Sequence, residues 1–204
     1  YELGVRMMTL TWNHENELAS PQRNPGGVLV PQTEKGLTGK GFEFLAEMER
    51  MHMIVDVSHL SDKGFWDIVE HGTRPFAASH SNCRALAPHT RNLTDEMIRA
   101  LSERGGIAGL NYYAPFLDTD PTHPENCRST VELIAKHAAH YKQVGGAQMI
   151  ALGSDFDGID GPHQLENAAF LPLLADALRK EGFTEDEVEG IYYRNAMRFF
   201  EENL

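Results

Sequence analysis

Two short apolar stretches of the chain end in the same dipeptide, Ser-His. The first is Ile-Val-Asp-Val-Ser-His (54–59) and the second is Phe-Ala-Ala-Ser-His (76–80). Neutral imidazole is the most common metal ligand in proteins, and two histidines at neighbouring strand ends can converge on one ion. The pattern therefore predicts a metal site with His59 and His80 as ligands. The alternative is that both are ordinary polar residues at strand ends.

A carboxylate follows another apolar stretch, in Gly-Ser-Asp-Phe-Asp-Gly (153–158). Asp155 at this position could bind metal, act as a general acid or base, or bind a substrate ammonium group. It could equally hold the backbone in an Asx-turn. The residues support both interpretations of Asp155 to the same extent, whereas Asp157, which precedes a glycine, fits the turn-holding role better.

Arg91 and Asn92 follow His80 by eleven and twelve residues, in a predicted loop before a helix. A planar guanidinium there could hold a carboxylate through two parallel hydrogen bonds. From the residues alone, a solvated surface arginine is the favoured interpretation.

The remaining candidates for ligands and nucleophiles are weaker. His137 and His140 share a helix face with Tyr141 and are predicted to be structural or solvated. Five further histidines have no partner at ligand spacing: His52, His71, His89, His123 and His163. Cys83 and Cys127 lack an obvious basic activator, so neither is expected to be a thiol nucleophile. No Gly-x-Ser-x-Gly, Gly-x-Gly-x-x-Gly or Walker-type loop occurs, which disfavours a serine hydrolase and a nucleotide site.

The composition limits the partners. The chain has 204 residues, with 18 Lys and Arg against 30 Asp and Glu, and a formal net charge of −12. An acidic chain repels phosphate backbones and anionic headgroups, so neither nucleic acid nor a membrane surface is expected as a partner. No apolar run approaches the roughly 20 residues that span a bilayer.

Five β-rich runs alternate with helical patterns. The runs are short and mostly apolar, as expected for parallel strands buried on both faces, and they cover residues 5–11, 53–58, 75–79, 106–112 and 149–153. Helices are predicted at 38–51, 61–71, 94–104, 129–144 and 165–181, with a final helix or two at 184–203, several with a Ser or Thr that can cap the first turn. Residues 13–36 are predicted to be a long loop. This alternation indicates a parallel α/β fold.

Polar residues collect where each predicted strand stops, at 11–14, 56–59, 79–82, 111–113 and 154–157. In a (β/α)8 barrel the carboxyl ends of the strands form the active-site rim, so this regularity favours a TIM-type barrel over an open sheet. A complete barrel has eight strands in about 250 residues. We therefore expect residues 1–204 to form a single barrel domain of strands 4 to 8 with their helices, its N-terminal part missing.

Six motifs occur in the order seen in the membrane (renal) dipeptidase family, which the chain resembles along its whole length. They are Thr-Leu-Thr-Trp-Asn (9–13), Gly-Leu-Thr (36–38), Asp-Val-Ser-His (56–59), Ser-His-Ser (79–81), Arg-Asn-Leu (91–93) and Gly-Ser-Asp-Phe-Asp-Gly (153–158). The resemblance implies a (β/α)8 barrel of the metal-dependent hydrolase kind with two zinc ions. It also implies hydrolysis of dipeptides by a metal-activated hydroxide, including dipeptides with a C-terminal D-residue.

The resemblance gives each candidate residue a role. His59 and His80 match the pair that binds the second, more exposed zinc. Arg91 matches the arginine that grips the substrate carboxylate, and Asp155 matches the carboxylate that handles protons and the substrate amine. Some relatives end the first of these strands with a histidine that steadies the oxyanion, and here Trp12 takes that position. His14 would point to the same side of a regular strand, and is a candidate substrate-binding residue in its place.

Other parts of that family's site have no counterpart in the sequence. It contains neither the His-x-Asp pair of the opening strand nor the bridging Glu of the third, so ligands of the first zinc are absent. We expect a missing N-terminal segment, or a second chain in a homodimer, to complete the barrel, and activity of this chain alone is in question. Two alternatives stay open: a barrel that cleaves another amide or a lactone, and a non-catalytic fragment without a complete metal site.

Overall fold

Five parallel strands form one sheet, in the order in which they occur along the chain. The computed structural model describes residues 1–22, 30–118, 126–161 and 163–204. The strands are β1 (Met7–Thr9), β2 (Ile54–Asp56), β3 (Ala77–Ala78), β4 (Ile107–Leu110) and β5 (Ile150–Leu152). All five predicted strands are therefore confirmed, although each is shorter than the apolar run that predicted it.

Helices follow the strands and cover the sheet. They are α1 (Gly39–Arg50), α2 (Asp62–His71), α3 (Asp95–Glu103), α4 (Ala114–Leu117), α5 (Val131–Gly145), α6 (Leu171–Lys180), α7 (Glu185–Glu189) and α8 (Asn195–Asn203). Five of them begin after a hydroxyl side chain that accepts a backbone N–H of the first turn, which satisfies a donor with no partner inside the helix. These caps are Thr38, Ser61, Thr94, Thr130 and Thr184.

Both faces of the sheet are buried, as expected for parallel strands. The larger core packs the helices on one face, through strand residues such as Val55 and Ala108. A smaller cluster on the other face joins Ile54 and Ile107 to Phe199 of α8. Because all strands run in one direction, their carboxyl ends lie at one edge, which is the arrangement of a TIM-type barrel wall.

In the C-terminal part of the fold, the helix predicted at 165–181 has a later start, and two helices lie in the region 184–203, where one or two were predicted. A 3-10 turn, Ala168–Phe170, precedes α6, so that this helix starts later than predicted. A π-helical turn, Gly190–Arg194, separates α7 from α8. The Asn195 side chain then donates to the carbonyl oxygens of Ala147 and Ile150, at 2.9 and 2.8 Å. This long-range anchor fixes α8 against β5.

Two further predictions concern segments that are only partly described. The predicted loop 13–36 contains no helix or strand in its described residues, 13–22 and 30–36, while 23–29 lie outside them. His123 also lies outside the described residues. None of the helices that the structure describes is long and apolar enough to cross a membrane.

Candidate metal centre and substrate pocket

Two histidine side chains meet at the carboxyl edge of the sheet. His59 follows β2 and His80 follows β3, and their Nε2 atoms lie 2.9 Å apart. Both nitrogens can therefore reach one zinc ion at the usual 2.0–2.1 Å. The structure brings together the two residues that the repeated Ser-His ending singles out.

A chain of hydrogen bonds fixes the proton of His80. The Ser79 hydroxyl donates to Asp56 Oδ2 at 2.6 Å, and Ser79 Oγ lies 2.7 Å from His80 Nδ1. Since the single hydroxyl proton is used toward the carboxylate, Ser79 accepts a hydrogen bond from His80 Nδ1–H. The Nε2 atom of His80 is left with its lone pair, which is the form that binds a metal.

The carboxylate of Asp56 is itself held on several sides. It accepts hydrogen bonds from the Thr9 hydroxyl at 2.7 Å and from the backbone N–H groups of Ser58 and Ser79 at 3.1 and 2.8 Å. It is buried at the end of β2. A carboxylate fixed in this way orients the hydroxyl that orients His80.

His59 is oriented by a different partner. Its Nδ1 atom lies 3.0 Å from Oδ1 of Asn13, in the segment after β1. An amide oxygen only accepts, so His59 carries its proton on Nδ1 and presents a lone pair at Nε2. The backbone of His59 has φ 72°, a left-handed conformation that is uncommon for residues other than glycine. Such strained residues cluster at functional sites.

The two Nε2 atoms are thus acceptors at hydrogen-bonding distance with no proton between them. Burial, the nearby Arg91 guanidinium and His80 lower the pKa of His59 to about 2. Burial and Arg91 also lower the pKa of His80. Both rings are therefore neutral at physiological pH. Two facing lone pairs repel each other, and a cation bound to both would remove that repulsion. The donor set fits a metal such as zinc.

No third ligand joins this pair within the described ranges. The only group of three His, Cys, Asp or Glu side chains that could share an ion there lies on α2: Asp67, Glu70 and His71. Asp67 is already engaged, because it accepts from the Leu37 N–H and pairs with Lys63. The pair of imidazoles therefore forms only part of a metal centre, since catalytic zinc usually has three protein ligands.

A cavity of about 680 Å³ opens beside the histidines. Its walls carry polar and aromatic side chains from the ends of β1 to β5 and the segments that follow them. They include Trp12, Asn13, Gln22, His59, His89, Arg91, Tyr113, Phe116, Asp155 and Asp160. A largely concave site with a few convergent polar groups is the usual form of a small-molecule pocket.

Arg91 is half-buried, with its guanidinium turned away from solvent, which corrects the expectation of a solvated surface arginine. Its Nε and Nη2 atoms are inaccessible and have no hydrogen-bond partner among the described residues. The guanidinium carbon lies 5.2 Å from the centre of the Phe116 ring. Burial lowers the pKa of Arg91 to about 10, against the opposing effect of Asp56 and Asp155, so the group stays charged at neutral pH. A buried, charged and unpartnered guanidinium on a cavity wall is suited to an anionic ligand.

His89 also belongs to this wall, although the sequence singled it out only as a histidine without a partner. Its Nδ1 accepts the backbone N–H of Arg91 at 3.2 Å, and its ring packs on Phe116 with 4.5 Å between ring centres. Burial, with Arg91 and Arg84, lowers its pKa to about 4, so the ring is neutral. The signal that could have revealed it is its position two residues before Arg91.

Asp155 lies on the opposite side of the same cavity, after β5. Its Oδ2 accepts a hydrogen bond from the Asn111 amide at 3.2 Å. Its backbone has φ 63°, again left-handed. A Cβ atom on Gly158 would lie 2.2 Å from Asp155 Oδ1, so the glycine leaves room for the carboxylate. Asp157, by contrast, is exposed.

His14 does not occupy the place that a regular strand would give it. β1 ends at Thr9, and the chain turns so that the Thr11 hydroxyl donates to the His14 carbonyl at 2.8 Å. The His14 side chain is exposed and is not part of the cavity wall, whereas Trp12 and Asn13 are. Its ring lies 6.2 Å from that of Trp12, between ring centres.

A parallel barrel wall with paired imidazoles, an arginine and an aspartate at its carboxyl rim defines the class of α/β-barrel metallohydrolases. The family model for membrane dipeptidase, peptidase family M19, matches residues 1–203. The chain belongs to this family of metallopeptidases.

Individual relatives agree with this assignment. An uncharacterised protein of the pqqA 5' region of Klebsiella pneumoniae is 37% identical over 97% of this chain and 72% of its own length. An uncharacterised dipeptidase of Schizosaccharomyces pombe is 34% identical over 97% of this chain and 46% of its own length. The chain thus spans about half the length of the yeast relative.

A crystal structure gives the same result for the fold. A metallopeptidase from Rhodobacter sphaeroides, liganded with a phosphinate mimic of the dipeptide L-Ala-D-Ala, superimposes with a TM-score of 0.87 at 28% identity. The match covers 100% of this chain and 57% of that one. The five-stranded sheet therefore corresponds to part of the barrel of that protein.

Proposed function

We propose that this protein hydrolyses dipeptides with a free C-terminal carboxylate, using zinc that His59 and His80 help to hold. The observation that carries this proposal is the pair of Nε2 atoms 2.9 Å apart, each made an acceptor by the partner of its Nδ1 atom. Bound zinc would supply a Lewis acid that activates water at neutral pH and polarises the scissile carbonyl. Membership of the family and the dipeptide mimic in the Rhodobacter relative support this substrate class.

The remaining cavity groups take roles that their surroundings favour. Arg91 would bind the substrate carboxylate, because its buried Nε and Nη2 atoms have no hydrogen-bond partner among the described residues. Asp155 would bind the substrate amine and pass a proton to the leaving nitrogen. His14 stays a prediction as a substrate-binding residue. A site for another amide or a lactone would not need a buried arginine, so Arg91 favours the dipeptide.

We also propose that further barrel strands, from this polypeptide or from a second copy, pack beside β1 and complete a centre of two zinc ions. An open recess of about 470 Å³ lies there, lined by apolar side chains such as Met8, Leu10 and Leu18. His59 and His80 both reach the same recess. Side chains from an adjoining strand would thus meet the two imidazoles, which lack a third ligand among the described residues.

Dipeptide hydrolysis by the protein should depend on bound zinc. We expect L-Ala-D-Ala and other dipeptides to be cleaved by the zinc-loaded protein, to survive after chelation, and to be cleaved again when zinc is restored. Amine release measures the reaction and mass spectrometry measures the metal. A zinc-loaded protein that leaves every dipeptide of an L,L and L,D panel intact would refute the proposed function.

Replacing Arg91 with lysine should weaken recognition of the carboxylate. An ammonium group cannot reproduce the two-pronged contact of a guanidinium. Losing one charge-assisted hydrogen bond costs about 1.5–3 kcal/mol, so kcat/KM should fall roughly ten- to hundred-fold. A C-terminally amidated dipeptide should be a comparably poor substrate of the unaltered protein and lose little more with Arg91→Lys. Independent, additive losses from amidation and substitution would show that Arg91 acts elsewhere.

A further inference from the structure

The segment between β3 and α3 carries Arg91, and a second arginine in that segment ties it down. Arg84 Nε donates to the carbonyl oxygen of Asn92 at 2.8 Å, and Arg84 Nη2 donates to that of Thr90 at 2.9 Å. These carbonyl groups belong to the residues on either side of Arg91. One guanidinium therefore holds the backbone before and after the arginine that faces the cavity.

Arg84 is itself clamped by a carboxylate from another element. Asp62, the first residue of α2, accepts from Arg84 Nη1 at 2.7 Å and from Nη2 at 2.8 Å. The two side chains are only 15% and 11% exposed, so this bidentate pair is more rigid and less screened than a surface ion pair. Asp62 also accepts a hydrogen bond from Gln22, whose side chain lines the cavity.

The ion pair of Asp62 and Arg84, called the clamp below, joins two parts of the site. One part follows β2 and the other follows β3. Asp62 lies three residues after His59, at the start of the helix that follows β2. Arg84 and Arg91 lie in the segment that follows β3. The Arg84 guanidinium makes four hydrogen bonds, two to a carboxylate and two to carbonyl groups, from donors in a fixed planar fork, whereas an ammonium group has only three donors and no such fork.

The position of the Arg91 guanidinium depends on its backbone because few contacts hold the side chain itself. Two of its guanidinium nitrogens have no partner among the described residues, and its Cζ lies over the Phe116 ring at 5.2 Å. Buried guanidinium nitrogens without hydrogen-bond partners are costly, so the position of Arg91 depends on the backbone that carries it. Small displacements of a positioning group can cost up to about 100-fold in rate.

We propose that Arg84, clamped by Asp62, is a positioning residue that sets the selectivity of the Arg91 pocket for a free carboxylate. This inference rests on the proposed function, in which Arg91 binds the carboxylate of the substrate. Arg84 touches no substrate itself. It acts through the carbonyl groups of Thr90 and Asn92.

Arg84→Lys tests the proposal, with Arg104→Lys as a matched control. Arg104 is also partly buried and also donates to two backbone carbonyl groups, those of Val69 and Gly72, but it lies at the end of α3, away from the Arg91 segment. We expect Arg84→Lys to raise KM for a free dipeptide roughly ten- to hundred-fold with a smaller change in kcat. It should leave hydrolysis of the amidated dipeptide nearly unchanged, so that selectivity for the free acid is lost. Arg104→Lys should preserve that selectivity even where it lowers the thermal unfolding midpoint.

Two further measurements keep the proposal separate from the proposed function. A crystal structure of Arg84→Lys should show the Arg91 guanidinium displaced from the Phe116 ring, which can be measured even if the protein cleaves no dipeptide. Should Arg84→Lys fail to fold, Asp62→Asn is the second variant. It removes the negative charge that holds Arg84 and substitutes no residue of the segment that carries Arg91, and it should give the same loss of selectivity. An unmoved Arg91, or unchanged selectivity in a folded variant, would overturn the role of Arg84.

Discussion

Replacing His80 with alanine should lower the zinc content of the protein and reduce dipeptide hydrolysis by more than about 100-fold. Altering only an outer partner of a metal ligand typically costs 10–100-fold in affinity or activity, and removing the ligand itself costs more. His59→Ala should have the same effect, since the Nε2 atoms of the two rings lie 2.9 Å apart and would share one ion. Zinc per protein, measured by mass spectrometry, and amine release under matched conditions check the expectation.

Two further substitutions, with a partial effect and with no effect expected, accompany the histidine variants. Ser79→Ala removes the hydroxyl oxygen that accepts the hydrogen bond from His80 Nδ1–H. It should weaken zinc binding roughly 10–100-fold without abolishing it. His140→Ala is the control, because His140 bonds to Asp95 at the start of α3 and lines neither cavity. Unchanged zinc content in both His59→Ala and His80→Ala would show that the metal is held by other residues.

The order and type of the elements could be predicted because they depend on local patterns. Short apolar runs separated by amphipathic helices specify a parallel sheet, and hydroxyl residues such as Thr94 and Thr184 mark where helices start. The C-terminal region, which the sequence allows to be one helix or two, has a break whose position could not be predicted in this way. Its π-helical turn accompanies Asn195, whose side chain bonds to backbone around β5, a contact between residues some 45 positions apart in the chain.

The proximity of His59 and His80 could be predicted for a similar reason. Parallel strands place their carboxyl ends side by side, so two histidines at equivalent strand ends come together whatever the details of packing. The sequence does not reveal which groups orient the two histidines. Asn13 bonds directly to His59, and Asp56 bonds to Ser79, which in turn bonds to His80. The bonds made by Asn13 and Asp56 join residues more than 20 positions apart, and no local pattern encodes them.

The environment of Arg91 illustrates the limit most clearly. By residue type alone a loop arginine in an acidic chain is expected to be solvated, and only the family resemblance of its motif indicates a binding role. In the structure its guanidinium lies over the Phe116 ring, in the α4 region that follows β4, and Arg84 bonds to the backbone on either side of it. Tertiary packing decides whether such a residue is a surface charge or a binding group.

Asp155 occupies a position where asparagine is an unusually clean replacement. Its φ of 63° lies in the left-handed region, which asparagine tolerates better than most residues. The amide oxygen of asparagine can still accept the hydrogen bond that Asn111 donates at 3.2 Å. The substitution therefore removes the charge and the proton-carrying capacity while it preserves the shape of the site.

Asp155→Asn should lower kcat for dipeptide hydrolysis roughly 10²–10⁴-fold, the usual contribution of a positioned general acid or base. Zinc content should stay unchanged, since His59 and His80 are untouched. Asp157→Asn is the matched control, because that carboxylate is exposed two residues further on, outside the cavity wall. Activity of Asp155→Asn within a few-fold of the unaltered protein would exclude Asp155 from proton transfer. A loss of zinc in the same variant would make Asp155 a metal ligand instead.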